Sequence, residues 1–193
     1  MFQVRIHGRG GQGVVTAAEL LSEAAFAEGH HSQAFPSFGS ERTGAPVVAF
    51  CRIADLAIRV REPVMAPDAL IVQDETLLEQ VDVFSGLPAD GYVLINSTRT
   101  FTQLGLDELV VGRPIGRLIT VPATELALEH LGRPVPNAVL LGAFAALTGV
   151  VTLESVSNAI RGRFPSRLAE KNCTASAAAY SFVKSQLKES VDA

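Results

Sequence analysis

The chain contains 193 residues, carries a net charge of −4 and consists to 48% of apolar residues. This length suits one domain with a sizeable core, the apolar share excludes a disordered chain, and the absence of a basic run argues against nucleic acid as the main partner. The longest apolar stretch, residues 138–151, is interrupted by two glycines and is too short to span a membrane, so it predicts a buried helix.

The first half of the chain alternates short apolar runs with helical patterns. We predict strands over residues 2–7, 30–35, 47–53, 68–72, 92–96 and 116–121, and helices over residues 14–28 and 75–81. Residues 57–60 are predicted to form a hairpin with residues 47–53. Short continuous apolar strands between helices are typical of a parallel sheet that is covered on both faces.

The second half of the chain is predicted to be helical, over residues 122–130, 138–147, 153–163 and 165–187. Asn137 stands where it would cap the second of these helices. The fold class that follows is α/β: a three-layer, Rossmann-like domain with a mainly parallel sheet and additional C-terminal helices. We expect residues 1–193 to form a single domain, with the sheet in about residues 1–121 and the helical part in about residues 122–187.

Glycines follow the first strand at once, in the run GRGGQG at residues 8–13. Gly8, Gly10 and Gly13 have the G-x-G-x-x-G spacing. In that motif the first glycine allows a tight turn, the second lets another backbone or a phosphate come close, and the third lets the helix pack against the strand. The free N–H groups at the start of the next helix could donate hydrogen bonds to an anion. The motif indicates either a dinucleotide site or a purely structural turn.

This chain lacks the other residues that sites for the common nucleotide ligands require. A nicotinamide dinucleotide needs an acid at the end of the second strand, and the strand over residues 30–35 ends without one. The phosphate loop of nucleoside triphosphatases needs Lys and Ser or Thr where Val14 and Val15 stand. We therefore expect a different group to lie over residues 10–13.

Few other side chains predict chemistry. His7 ends the first strand, where parallel sheets place ligands, although a hydrogen-bonded structural histidine is the alternative. Asn96 ends a central strand and could bind a ligand or form the following turn. Cys51 and Cys173 lie far apart in the sequence, so we expect no iron–sulfur cluster or zinc site in this chain, and a reducing, cytoplasmic setting suits them. We nominate no general acid, base, nucleophile or metal ligand.

Two motifs together carry a resemblance to a known family. The first is GRGGQG at residues 8–13, and the second is FPSFGSERTGAP at residues 35–46. They resemble the signatures of the gamma subunit of 2-oxoacid:ferredoxin oxidoreductases, and residues 44–46 resemble the pyruvate branch of that family. Thr43 stands where arginine is common in the family. The likeness spans nearly the whole chain.

The resemblance implies one subunit of a larger enzyme that oxidatively decarboxylates a 2-oxoacid to an acyl-coenzyme A. In such an enzyme, thiamine diphosphate with Mg²⁺ carries the decarboxylation, and 4Fe-4S clusters pass electrons to ferredoxin or flavodoxin. The resemblance places these groups on alpha-, beta- and delta-type partner subunits, and this chain is expected to hold none of them by itself. Coenzyme A is the co-substrate.

The site residues implied by the resemblance lie in the two motifs. They are Gly10, Gly11, Gln12 and Gly13 in the first motif, and Ser40, Glu41 and Arg42 in the second. We expect them to contact coenzyme A or a neighbouring subunit. Gln12 is the informative residue, because the turn does not require its amide, which could both donate and accept across an interface. Two alternatives stay open: a pure assembly subunit without substrate contact, and a free-standing dinucleotide-binding protein.

Overall fold

A computed structural model of the chain describes residues 1–37 and 43–192, and these residues form a six-stranded sheet. Its strands are β1 (Phe2–Arg9), β2 (His31–Pro36), β3 (Pro46–Ala54), β4 (Ala69–Val72), β5 (Tyr92–Asn96) and β6 (Leu118–Val121). They lie in the order β2-β3-β1-β4-β5-β6. The pairs β1/β4, β4/β5 and β5/β6 are parallel, whereas β3 pairs antiparallel with both β1 and β2. The predicted α/β class with a mainly parallel sheet is confirmed.

The predicted hairpin between residues 57–60 and β3 is wrong. Cys51, in the middle of β3, lies opposite Val4 of β1 on one side and opposite Ala34 of β2 on the other. Both edges of β3 are therefore occupied, and no edge is left for a further strand. Residues 57–60 instead belong to a loop without regular structure.

The described residues also form six α-helices and one 3-10 helix. The α-helices are α1 (Val14–Ala27), α2 (Asp107–Val110), α3 (Ala123–Leu131), α4 (Asn137–Thr148), α5 (Leu153–Arg163) and α6 (Ser166–Asp192), and the 3-10 helix spans Glu75–Glu79. The last helix thus continues beyond the predicted end at residue 187. The helix predicted over residues 75–81 is shorter and of the 3-10 type, because the chain then turns to bury Val83 against the sheet.

One face of the sheet carries the larger apolar core. Val4 and Ile6 of β1 point into it, and helices α1, α4, α5 and α6 cover it. Helix α4 is buried along residues 137–147, which confirms the buried helix predicted from the long apolar run. At Gly142, a Cβ atom would lie 2.0 Å from the carbonyl oxygen of Ser176, so the backbones of α4 and α6 touch at this position.

The opposite face is held by two buried arginines on the side of β1 and β3. Because side chains alternate along a strand, Arg5 points away from the larger core, and Arg52 does the same on β3. Their guanidinium groups donate to backbone carbonyls of the covering loops: Val64, Met65, Val83 and Ser85 for Arg5, and Val60 and Glu62 for Arg52. Charge-assisted bonds therefore fasten the irregular segment 55–67 to the sheet.

A smaller apolar cluster covers the same face over β4 and β5. Its buried members are Val72, Leu77, Val83, Val93 and Ile95. The 3-10 helix contributes Leu77, and α2 contributes the partly buried Leu109. The third layer of the domain is therefore thin, and it is made of short elements and loops rather than long helices.

The crossing of α4 and α6 predicts the effect of one methyl group. Gly142→Ala should lower the free energy of unfolding by about 2 kcal/mol or more, because the added Cβ meets backbone that cannot move aside. Gly162→Ala is the matched control, since Gly162 lies in α5 with nothing within 4 Å of the new atom. That change should raise stability by up to about 1 kcal/mol through helix propensity. Urea unfolding followed by circular dichroism checks both, and equal stabilities for the two variants would contradict the close crossing.

Candidate functional site

A crevice opens where the chain direction across the sheet reverses. Strands β1 and β4 are parallel neighbours, but the chain leaves β1 through α1 toward β2, and leaves β4 toward β5 on the other side. Open α/β sheets bind ligands outside the carboxyl ends of the strands at such a point. The crevice has a volume of about 350 Å³ and is lined by Gln12, Gln73, Asp74, Glu75, Asn96, Thr124, Pro134 and Pro136.

Gly10 lies against the backbone that leads into β3. Its N–H donates to the carbonyl of Ala45 at 2.9 Å, and its own carbonyl accepts the N–H of Gly44 at 3.0 Å. We expected either another backbone segment or a phosphate next to Gly10, and a backbone segment lies there. Gly11, with φ of 93°, makes the turn that follows.

The roles expected of Gly8 and Gly13 are exchanged. Gly8 continues β1 and does not turn, but a Cβ there would lie 2.6 Å from Cγ2 of Val14, so this glycine allows the start of α1 to pack on the strand. Gly13 has φ of 71° and directly precedes α1, and a Cβ there would lie 2.4 Å from Nδ2 of Asn137. The glycine that needs a positive φ is therefore Gly13, at the end of the motif, and not Gly8 at its beginning.

Gln12 closes the loop and ties it to β4. Its Oε1 accepts the N–H of Arg9 at 2.7 Å, and its Nε2 donates to Oδ2 of Asp74 at 2.8 Å. An amide can do both, whereas a carboxylate has no proton to donate and an apolar side chain has neither group. Gln12 therefore makes its contacts within this chain, and these contacts close the turn.

Arg9 and Asp74 form the charged part of this connection. The Nε atom of Arg9 lies 3.3 Å from Oδ2 of Asp74, and Nη1 of Arg9 donates to the carbonyl of Gly44 at 3.0 Å. Burial by itself would raise the pKa of Asp74, but hydrogen bonds from Thr76 and Gln12 outweigh it and hold the pKa below its ordinary value. Asp74 is thus a fixed anionic anchor and a poor proton donor.

Asn96 joins β5 to its neighbours. Its Nδ2 donates to the carbonyl of Gln73 at 2.9 Å and to Oγ1 of Thr124 at 2.8 Å, and its Oδ1 accepts the N–H of Thr124 at 3.0 Å. The amide thereby binds the start of α3, a role that differs from both the ligand contact and the following turn expected for this residue.

Asn137 is the first residue of α4 and not its cap, which is Pro136. Its Oδ1 accepts the N–H of Ala138 at 2.8 Å, while its Nδ2 lies 3.4 Å from the carbonyl of Gly13. The predicted capping position is therefore wrong by one residue. The side chain still lies at the helix start, where it connects α4 to the glycine loop.

His7 is buried on the face of the sheet that Arg5 occupies, and 4% of its surface is exposed. Within residues 1–37 and 43–192, its Nε2 finds no hydrogen-bond partner, so the expectation of a fully hydrogen-bonded histidine is wrong there. Burial, followed by the positive charge of Arg5, lowers the pKa of His7 to about 4. The ring is therefore neutral at physiological pH.

The described residues include only part of the second motif. Ser40, Glu41 and Arg42 lie outside the described residues. Thr43, which follows them, forms a bridge with Gly10. The structure therefore brings the first described residue after Arg42 into contact with the glycine loop.

The described residues form neither a metal site nor a membrane-spanning helix. There, no three His, Cys, Asp or Glu side chains come together as ligands for a metal ion. Cys51 and Cys173 are both buried and free, and burial raises the pKa of Cys51 to about 12. No helix in residues 1–37 and 43–192 has the length and apolar character needed to cross a membrane.

Sequence reasoning missed Gln73 and Asp74, which line the crevice, and Arg9, which is paired with Asp74 beside it. Gln73 and Asp74 directly follow β4, and Arg9 ends β1. The rule that selected Asn96, a polar residue after a buried strand, would also have found Gln73 and Asp74. For Arg9 no comparable signal exists, because its contacts depend on the path of the chain around residues 44 and 76.

Comparisons with known proteins agree with one another. The family model described as pyruvate ferredoxin/flavodoxin oxidoreductase matches residues 3–182. Pyruvate synthase subunit PorC of Methanothermobacter marburgensis is 50% identical over 184 residues, which cover 95% of this chain and 98% of that protein. The pyruvate/ketoisovalerate oxidoreductases common subunit gamma of Pyrococcus abyssi is 49% identical and covers 98% and 100%. The crystal structure of pyruvate oxidoreductase subunit PORC from Thermotoga maritima has a TM-score of 0.78 at 37% identity and covers 93% and 95%.

His7 predicts a loss of stability in mild acid. Its pKa is about 4 in the folded chain against an ordinary 6.5, so the unfolded chain takes up the proton first as the pH falls. The stability that the neutral ring gives the folded chain is therefore fully present above pH 6.5 and is lost as the pH falls toward 4. Between pH 7.5 and pH 5, the free energy of unfolding should fall by about 2 kcal/mol through this residue. Urea unfolding at both pH values measures the fall, which His7→Gln should remove.

The control for this experiment is His31→Gln, because His31 is an exposed residue of β2. That variant should keep the full dependence on pH. If His7→Gln also keeps it, the buried neutral ring is not the cause.

Proposed function

The chain belongs to the pyruvate ferredoxin/flavodoxin oxidoreductase family, and we propose that it is the gamma subunit of a complex that oxidatively decarboxylates a 2-oxoacid of the pyruvate type to an acyl-coenzyme A. The resemblance inferred from residues 8–13 and 35–46 is confirmed at the level of the family. Alignment with relatives named PorC and common subunit gamma, at 50% and 49% identity, supports the gamma role. Electrons released from the oxoacid pass to ferredoxin or flavodoxin.

In this proposal the chain shapes the active-site interface and helps to bind coenzyme A. Thiamine diphosphate, Mg²⁺ and the 4Fe-4S clusters sit on alpha-, beta- and delta-type subunits. The described residues suit that division, since the two cysteines are each buried singly and no cluster of metal ligands occurs among these residues. The two free thiols also suit the reducing cytoplasm, where we place the complex.

The observation that carries the proposal is the meeting of the two motifs. Gly10 of the first motif bonds Gly44 and Ala45 of the second, and Gln12 joins the same loop to Asp74. A ligand or a partner surface that covers the glycine loop therefore also lies beside the chain that continues from Arg42. Fixed geometry of this kind favours a surface that orients a substrate.

Charge decides which part of coenzyme A could enter the crevice. Asp74 and Glu75 both line it, and Asn137 covers the loop at Gly13. A phosphate in the crevice would face two carboxylates, so the uncharged parts of coenzyme A fit there better than its phosphates. Arg42 of the second motif remains our candidate for a phosphate contact, since a guanidinium bonds phosphate in a bidentate manner.

The assembly-only alternative has one observation in its favour. The amides of Gln12, Asn96 and Asn137 bond atoms of this chain, which is what a purely structural loop requires. A free-standing dinucleotide-binding protein is disfavoured, because β2 ends in Phe35 and Pro36 without an acid, and because Asp74 lies beside the glycine loop.

Substitution of Gln12 and Arg42 within the assembled complex separates the proposed role from assembly alone. Gln12→Leu and Arg42→Ala should each leave the subunit composition unchanged and raise the KM for coenzyme A about tenfold, with a smaller change in kcat. The physical reason is the loss of loop geometry in one variant and of a cation in the other. Co-purification of the tagged subunit and steady-state kinetics provide the two readouts.

Gln103→Leu is the matched control. Gln103, like Gln12, accepts the backbone N–H three residues before it, from Thr100 at 2.8 Å, but it does not line the crevice. Its replacement should change neither assembly nor the KM. Loss of assembly in both test variants, with a normal KM in the complex that still forms, would favour the assembly-only role.

A further inference from the structure

We propose that the outer edge of β6 accepts an extended segment of a neighbouring subunit, which adds a further strand to the sheet. Among the described residues, β5 is the only strand that pairs with β6. The sequence of β6 over residues 118–121 is LITV, a largely β-branched run without a proline or a charge. An unpaired edge of this composition is a template for another strand, unless the fold protects it.

The pairing with β5 determines which backbone groups of β6 are unused. The N–H of Val93 in β5 donates to the carbonyl of Arg117 at 2.8 Å. Because every second residue of a strand faces the same neighbour, Arg117 and each second residue after it bond β5, whereas Leu118 and Thr120 direct their N–H and carbonyl groups outward. Within residues 1–37 and 43–192, no other backbone bonds these outward groups.

A groove with a volume of about 190 Å³ lies at this edge. Two of the residues that line it are Phe101 and Leu187. Phe101 packs against the smaller apolar cluster and Leu187 against the larger core, so they flank β6 from opposite faces of the sheet. Successive side chains of an added strand would point toward one and then toward the other. The occupant is therefore an extended segment with apolar side chains on both of its faces.

The described residues leave this edge without the protection that edge strands usually have. At the other edge of the sheet, β2 ends in Pro36, which has no N–H to donate. Arg117, which precedes β6, is turned back onto the chain, with its guanidinium 4.0 Å from the ring centroid of Tyr92. The loop before β6 presents Val111 and Ile115, which are 80% and 77% exposed. Exposed apolar side chains beside an unprotected edge indicate a surface that is covered in the complex.

The size of the edge decides which occupant it takes. Its four residues span about 13 Å, and a sheet layer is about 10 Å deep, so an added strand covers on the order of 130 Å². A stable interface between two free proteins covers about 800 Å² on each partner. Two copies of this chain therefore do not hold together by this edge alone. A segment tethered to a subunit that is already bound needs far less area, because its local concentration is in the millimolar range.

The inference rests on the part of the proposed function that makes this chain one subunit of a complex. It is independent of any contact with coenzyme A. Failure of the complex to form with the wild-type chain would contradict the proposed function. A complex that forms while the edge of β6 stays open would contradict the inference about the edge alone.

Hydrogen exchange of single amides tests the inference in the wild-type protein. In the lone chain the amides of Leu118 and Thr120 should exchange fast, because they bond water. In the complex both should slow by about a hundredfold or more, since an added strand accepts both N–H groups. The amides of Ile119 and Val121 bond β5 in both states, so they should change far less. Exchange in the complex is quenched and then measured by mass spectrometry with fragmentation that resolves single residues.

A proline on the edge provides the second test. Thr120→Pro removes an outward N–H and places a ring on the edge, but it removes no bond to β5. The lone variant should therefore melt within about 5 °C of the wild type, while the amount of partner subunits that co-purify with it should fall about tenfold or more. Thr120→Val is the matched control, because it keeps the N–H and the β-branched shape, and it should assemble as the wild type does. If Thr120→Pro does not fold, the exchange measurement decides.

Four results would overturn the inference. The first is equal exchange of Leu118 and Thr120 in the lone chain and in the complex, and the second is equal slowing of these amides and of Ile119 and Val121, which reports a general gain in stability. The third is normal assembly of a folded Thr120→Pro chain. The fourth is a lone chain that sediments as a dimer and becomes a monomer in Thr120→Pro, because a second copy then occupies the edge.

Discussion

The amide of Gln12 is the connection on which the rest of the crevice depends. It holds the glycine loop closed through Arg9, and it reaches Asp74 at the end of β4, 62 residues later in the chain. Asp74 in turn holds Arg9 and begins the 3-10 helix by accepting the N–H of Thr76. Gly8 and Gly10 make this connection possible, because β1 must approach both α1 and the start of β3 without side chains between them.

This connection explains why a loop with the spacing of a dinucleotide motif need not bind one. The backbone of residues 44–45 fills the close approach at Gly10, and a carboxylate stands near the place where a phosphate would lie. Among the described residues, the same arrangement leaves a crevice whose polar side chains are fixed by one another, apart from the amide of Gln73. Rigid walls suit the proposed role, in which the chain positions a ligand or a partner surface.

The sequence predicted those features that depend on neighbouring residues. The bounds of β5 and of α5 are as predicted, since a short apolar run and a 3.6-residue periodicity are local signals. Gln12 was recognised from the glycine motif, and Asn96 because it ends a strand. The failures concern distant partners: residues 57–60 could pair with β3 only if an edge were free, and the bond from Gln12 to Asp74 depends on the order of strands in the sheet. The rule that selected Asn96 would also have found Gln73, whereas its lack of a side-chain hydrogen-bond partner among the described residues is a property of the folded structure alone.

We propose that this chain contributes binding geometry to a complex whose reactive groups sit on other subunits. The most direct measurement compares the complex assembled with and without this chain, and the purified chain alone, in coenzyme A-dependent oxidation of pyruvate with an electron-accepting dye. The lone chain should neither turn over pyruvate nor absorb visible light as a redox protein does, and adding it to the other subunits should restore activity. Turnover by the lone chain, or a redox centre bound to it, would rule out this division of roles between the subunits.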